Sequence, residues 1–155
     1  MWKNYKHYRW IIKINIFRDL EIILGLCYIN QAKNIEVILN NISEAIDLVN
    51  EKYNSPKIII GGDFNARVAK KSLLDFLING NYVNLERIRI SKDKILNKRG
   101  KSLIDFSENN DLTLINGRAK SDFPATYTFI STVGNSVINL QGNLPRCPSP
   151  ILMML

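Results

Sequence analysis

The sequence predicts an α/β fold, and three stretches predict it: an apolar run at 21–29, a helix-periodic segment at 34–53, and a second apolar run at 57–60 that stops at Gly61-Gly62. A strand, a long helix and another strand make one crossover unit, the repeating piece of a parallel sheet. Ligands of open α/β sheets usually sit at the C-terminal ends of such strands.

Each element has its own signal. Residues 1–18 carry Lys3, Lys6, Arg9, Lys13 and Arg18 with no acidic residue, interleaved with Trp2, Tyr5, Tyr8, Trp10 and Phe17. Such a mixture can engage a phosphate backbone and stack on bases; it equally suits an edge strand or an unfolded leader. The run 21–29 is short, apolar and bounded by Asn30-Gln31, as a buried strand is. Over 34–53, Ile35, Ile38, Leu39, Ile42, Ala45, Ile46, Val49 and Tyr53 recur at helical spacing. Pro56 ends that helix, because it cannot continue it and biases Ser55 away from helical backbone. Further on, 72–78 predicts a short helix ended by Asn79-Gly80, 102–108 a helix with Leu103, Ile104 and Phe106 as its apolar residues, and 112–115 a strand. Residues 126–130 and 136–140 flank Val133-Gly134-Asn135 and read as a hairpin. Pro145, Pro148 and Pro150 do not fit a central strand. The expected organisation is therefore a basic aromatic leader or edge strand at 1–20, one domain at 21–140 and a divergent Pro-rich tail at 141–155.

Composition narrows the class. A length of 155 residues with 46% hydrophobic and 23% charged content suits one globular domain and argues against general disorder. The net charge of +7 and pI near 9.5 favour a polyanionic partner such as nucleic acid, with a solvated Lys-rich surface as the plain alternative. Cys27 lies in an apolar run and Cys147 in the Pro-rich tail, so neither a disulfide framework nor a thiolate metal cluster is expected. Lys13 interrupts the apolar stretch near the start, and 22–29 is too short to span a bilayer. No membrane is therefore expected, and a reducing intracellular compartment, the nucleus included, is the expected setting.

Gly61-Gly62-Asp63-Phe64-Asn65 is the sharpest chemical signal. Paired glycines allow a sharp turn and close approach of a ligand. Asp63 and Asn65 are two apart, so extended backbone would point both to one face and send Phe64 into the core. A carboxylate there can orient or deprotonate a water and help hold a divalent cation, and the amide can hold a phosphate oxygen or the same ion. The competing assignment is a polar turn in which both side chains cap backbone groups, and spacing alone favours it. Tyr28 likewise admits two readings, a ligand contact or an amphipathic residue at a strand end.

The apolar strand with Gly-Asp-Phe-Asn and the following Ala66-Arg67 is similar to the core motif of the endonuclease/exonuclease/phosphatase superfamily. Further segments follow in order: Arg89-Ile90-Ser91-Lys92-Asp93, Asn97-Lys98-Arg99-Gly100-Lys101-Ser102-Leu103-Ile104-Asp105-Phe106, Asn110-Asp111-Leu112-Thr113-Leu114-Ile115-Asn116-Gly117-Arg118, Thr126-Tyr127-Thr128-Phe129 and Ser136-Val137-Ile138. The ordered set resembles the apurinic-type endonuclease domain of non-LTR retrotransposons, over roughly 21–140. That resemblance implies a two-sheet α/β sandwich of the DNase I-like type and Mg²⁺-dependent cleavage of DNA phosphodiesters. Asp63 would activate the attacking water, Asn65 would assist at phosphate and metal, and Tyr28 would contact the scissile phosphate. Arg67, Arg99, Asn116 and Thr128 would lie on the nucleic acid.

The departures are equally specific. The family's earlier strands carry an Asn and a metal-binding Glu, and Glu21 and Glu36 do not stand in matching context. Its closing Asp-His pair has no counterpart, because the lone histidine, His7, is at the wrong end. Where the family has an Asp that orients the catalytic His, this chain has Asn139. These departures imply a partial sandwich without its N- and C-terminal strands, and weak or absent activity. The alternatives are a catalytically silent nucleic-acid-binding remnant and a small-phosphoester phosphatase; the basic stretch at 86–101 disfavours the second.

Overall fold

A computed structural model gives the fold and describes residues 4–5, 8–17, 20–53, 56–70, 86, 88–132, 134–137 and 139–143. The chain starts with β1 (Asn4–Tyr5) and β2 (Tyr8–Phe17), and β2 pairs antiparallel with β3 (Leu20–Tyr28). Helix α1 (Ile35–Lys52) then carries the chain to β4 (Lys57–Asp63), which lies parallel to β3. The expected crossover is therefore present, and residues 8–17 form a strand of the sheet. Next come α2 (Lys98–Asn109), β5 (Thr113–Leu114), a 3-10 turn at Lys120–Asp122, β6 (Phe129–Ser131), β7 (Gly134–Ser136) and β8 (Asn139–Asn143). One sheet has the order β1-β2-β3-β4-β8-β5, and β6 and β7 form a separate hairpin.

Helix α1 forms for the reason its periodicity predicts. Ile35, Ile38, Leu39, Ile42 and Ile46 are buried, and the Asn34 side chain caps the first turn by accepting the Glu36 N–H at 2.9 Å. Helix α2 begins four residues before the expected start. Asn97 accepts the Gly100 N–H at 2.7 Å, and that cap recruits Lys98-Arg99-Gly100-Lys101, a polar segment without apolar periodicity. A Cβ on Gly100 would lie 1.9 Å from the Arg67 carbonyl oxygen, so only glycine lets the helix approach that backbone.

The hairpin is shorter than expected, and its second arm is really two elements. Strand β7 ends at Ser136, the chain turns inward at buried Val137, and β8 enters the main sheet between β4 and β5. Sheet pairing continues to Asn143, past the composition change at Leu140. The expected helix at 72–78, Arg87, His7 and the three prolines of the tail lie outside the described residues.

One face of the sheet is the core. Ile23 and Cys27 of β3 and Ile58 and Ile60 of β4 join one buried cluster with the apolar residues of both helices. Phe64, Ala66 and Val68 extend it beyond β4, so Phe64 does point inward. The Cys27 thiol is pushed up to about 12 by burial, consistent with a small hydrophobe rather than a reactive thiol. The other face behaves differently: Leu24 and Ile59 are half-buried and Leu26 is 54% exposed. Among the described residues, the strand expected to be wholly buried is thus closely packed on one face and half-open on the other.

Candidate functional site

The site is built where β3 and β4 end side by side. Tyr28 is the register partner of Asp63, and Asp63 is also the partner of Asn139 in β8. These positions form one row across the sheet edge. Tyr28 is 61% exposed and Asp63 half-buried, and the ladder runs one step further through the Ile29 N–H donating to the Asp63 carbonyl at 2.8 Å. Gly62 is needed for a reason other than ligand approach. Its φ is +131°, and a Cβ there would sit 2.0 Å from the Cys27 carbonyl oxygen on the neighbouring strand.

Asn65 corrects the alternation argument. The strand stops at Asp63, and Asn65 takes a left-handed φ of 48°, so the two side chains are not on one extended face. Its N–H donates to Asp63 Oδ1 at 2.8 Å, a local side-chain turn. Its Nδ2 donates to the Ile29 carbonyl at 3.1 Å, and its Oδ1 accepts from Gln31 Nε2 at 2.8 Å. The capping arrangement favoured by spacing is present, and the amide ties the loop after β4 to the loop after β3.

The two arginines expected on nucleic acid are committed to internal partners. Arg99 donates to the carbonyls of Asn65 (3.0 Å), Phe64 (3.3 Å), Lys33 (2.8 Å) and Gln31 (3.4 Å). Burial draws its pKa down, and the charge of Asp63 pulls it part of the way back. Arg67 forms a bidentate pair with Asp93, Nε to Oδ2 and Nη2 to Oδ1, both at 2.8 Å, and also donates to the Asn135 carbonyl at 3.2 Å. Asp93 further accepts the N–H groups of Ile95 (3.0 Å) and Val137 (3.2 Å), so one buried carboxylate fastens the Arg67 loop to the chain leaving the hairpin.

Asn116 lies half-buried in the turn after β5, and Gly117 beside it has a φ of +76°. Leu114 pairs with Gly142, which pairs with Ile60, so that turn follows a strand running parallel to β4 and opens at the same sheet edge. Thr128 is exposed just before β6, and its N–H donates to the Ser136 carbonyl at 3.0 Å. The fold therefore gathers Tyr28, Asp63, Asn65 and Arg99 directly, aligns Asn139 with them by register, and places Thr128 on the hairpin.

Sequence reasoning gave no individual role to Gln31, Asp93 or Asn97, although Asp93 and Asn97 stand in the motif segments. Asn97 had a further signal, since an Asn before a polar turn is a good helix cap; Gln31 had none. In that stretch Arg89 is buried, and Lys92, Lys94, Lys98 and Lys101 are exposed. The exposed charge here is lysine, and the described arginines turn inward.

The described residues do not by themselves make a site for the expected Mg²⁺. Among the described residues no group of three or more His, Cys, Asp or Glu side chains could hold a metal ion. Asp63 brings one carboxylate to the edge, and one of its oxygens already accepts the Asn65 N–H. Mg²⁺ demands near-octahedral oxygen ligation, which a single carboxylate does not organise.

A mixed sheet, backed by packed helices and ending in Tyr28 and Asp63, is compatible with an endonuclease fold. Among solved structures it is similar to the endonuclease domain of TRAS1, a telomere-specific non-LTR retrotransposon, with 21% sequence identity and a TM-score of 0.51. The match covers 89% of this chain and 49% of that one, so this chain spans about half the length of its structural neighbour. No protein-family model and no curated protein matches the chain. The motif resemblance and the likeness in fold point to the same kind of domain.

Proposed function

We propose that this chain derives from a metal-dependent DNA endonuclease and retains nucleic-acid binding with little or no hydrolysis. The observation that carries this is the row Tyr28–Asp63–Asn139, which has one carboxylate where phosphodiester cleavage needs several cooperating groups. In the ancestral reaction Asp63 would take the proton of the attacking water, while Tyr28 and the Asn65 amide held the phosphate. The six-stranded sheet is then one half of a two-sheet sandwich of the endonuclease/exonuclease/phosphatase type, and the half-open face with Leu26 supports this. In the same scheme the resemblance bounds the domain proper at 21–140, with 1–20 at its edge, and the divergence of 141–155 sets in within β8.

Nucleic-acid binding itself is supported by the net charge of +7 and by the exposed Lys92, Lys94, Lys98 and Lys101, with Asn116 and Thr128 as polar contacts. No described helix is long and apolar enough to cross a membrane. The test is plasmid nicking by purified protein with Mg²⁺, beside Asp63→Ala. The expected result is the same low background for both. Robust nicking by the parent that disappears in Asp63→Ala would overturn the proposed inactivity.

A further inference from the structure

We propose that Arg99 is the positioning residue of this edge, setting Tyr28 and Asp63 relative to each other, and that it makes no phosphate contact. The inference rests on the nucleic-acid reading only for what the edge acts on. Arg99 stands on α2, yet its guanidinium leaves its own helix and divides between two loops. Nε and Nη2 reach the carbonyls of Asn65 and Phe64, directly after β4; Nη1 reaches those of Lys33 and Gln31, after β3. These loops follow Asp63 and Tyr28 in the chain.

The geometry of the donor explains why arginine is needed. A guanidinium has five N–H groups in a fixed planar fork and can hold carbonyls on two loops at once, whereas an ammonium is a compact point charge on a flexible stem. The partners are neutral carbonyls, so the fork binds backbone rather than an acid. Asn65 and Gln31 then close the same gap from the outside, through Asn65 Nδ2 to Ile29 and Gln31 Nε2 to Asn65. Helix α2 fixes the base of the side chain, because Asn97 caps it and also accepts the Arg67 N–H at 3.1 Å. Four of the five N–H groups are already engaged by backbone carbonyls, so a phosphate would have to compete for them.

Two measurements test this on the full chain. Hydrogen exchange compares the Ile29 and Asn65 amides with the Ile58 and Ile60 amides inside the sheet, for the parent, Arg99→Lys and Arg99→Gln. Both variants should lose about tenfold protection at Ile29 and Asn65 and keep it in the sheet, with Lys giving no rescue. In parallel, the salt dependence of binding to a short DNA duplex should change by less than about half a unit of log–log slope in Arg99→Gln. The proposal is overturned if Arg99→Lys keeps the edge protected, or if edge and sheet amides lose protection together. A slope reduced by about 0.9, the value of one lost phosphate contact, would also overturn it. If the parent chain binds no DNA, the nucleic-acid reading fails and the exchange pattern still decides the role of Arg99.

Discussion

Asp93 shows how much one side chain can organise. Burial tends to raise its pKa, but the hydrogen bond from Arg67, the N–H groups of Ile95 and Val137 and the Arg67 charge together hold it below the ordinary carboxylate value. Its folded-state pKa is therefore depressed, so its stabilisation is present above the unfolded pKa of about 3.9 and lost as pH falls through the lower folded value. Asp93→Asn should cost about 2–3 kcal/mol at neutral pH, less than a fully buried pair because the Arg67 side chain is 26% exposed. The cost should shrink as the pH is lowered below about 4. Urea unfolding at a series of pH values reads both effects, and an unchanged midpoint at neutral pH would show that the pair holds nothing. At this scale the sequence was legible in part. Asp63 ends its strand and Phe64 points inward as expected, but Asn65 leaves the expected face, the partner of Arg67 lies 26 residues away, and no local pattern names it.

At the scale of elements, α2 offers a substitution in which two effects compete. Gly100→Ala gains about 1 kcal/mol of helix propensity. The added methyl meets the Arg67 carbonyl at 1.9 Å, so the helix must shift against the loop that carries the Asp93 pair. We expect overpacking to win, with a net loss of about 1–2 kcal/mol in denaturant unfolding. A stabilised variant would mean that the helix end is free to move. The two faces of the sheet make a second comparison. Ile60 is 1% exposed in the core, and Ile60→Ala should cost about 2–5 kcal/mol. Leu26→Ser, on the half-open face, should cost less than about 1 kcal/mol, since little apolar area leaves water there on folding. Equal costs would mean that both faces are covered in solution. Helix α1 and strands β3 and β4 were legible because periodicity and length report local structure. The early start of α2 and the break between β7 and β8 were not, because a cap and a buried carboxylate decide them.

For the whole molecule, charge and apolar surface define the expected behaviour. Lys92 and Lys94 are exposed on a loop held by Asp93, and Lys98 and Lys101 on the first turns of α2. Replacing Lys92 and Lys94 by Gln should weaken duplex binding equally across sequences and lower the salt slope by up to about 2. Fluorescence anisotropy over a salt series measures this, and sequence-dependent losses would point to base contacts instead. The half-open sheet face carries Leu24, Leu26 and Ile59, and exposed apolar surface of this kind promotes association.

The sequence by itself determined the α/β class, the crossover unit, the inward Phe64 and the strand-end location of Asp63, because all of these follow from backbone periods and local sterics. The ordered motifs also identified the kind of domain later matched in fold. Tertiary structure alone decided that β8 enters the sheet beside β4, bringing Asn139 level with Asp63. It also decided that Arg67 and Arg99 serve as internal fasteners while nearby lysines face solvent. The reason is the same in each case. Strand neighbours and side-chain partners far apart in sequence are selected by the satisfaction of buried polar groups, and only the folded chain brings those groups together.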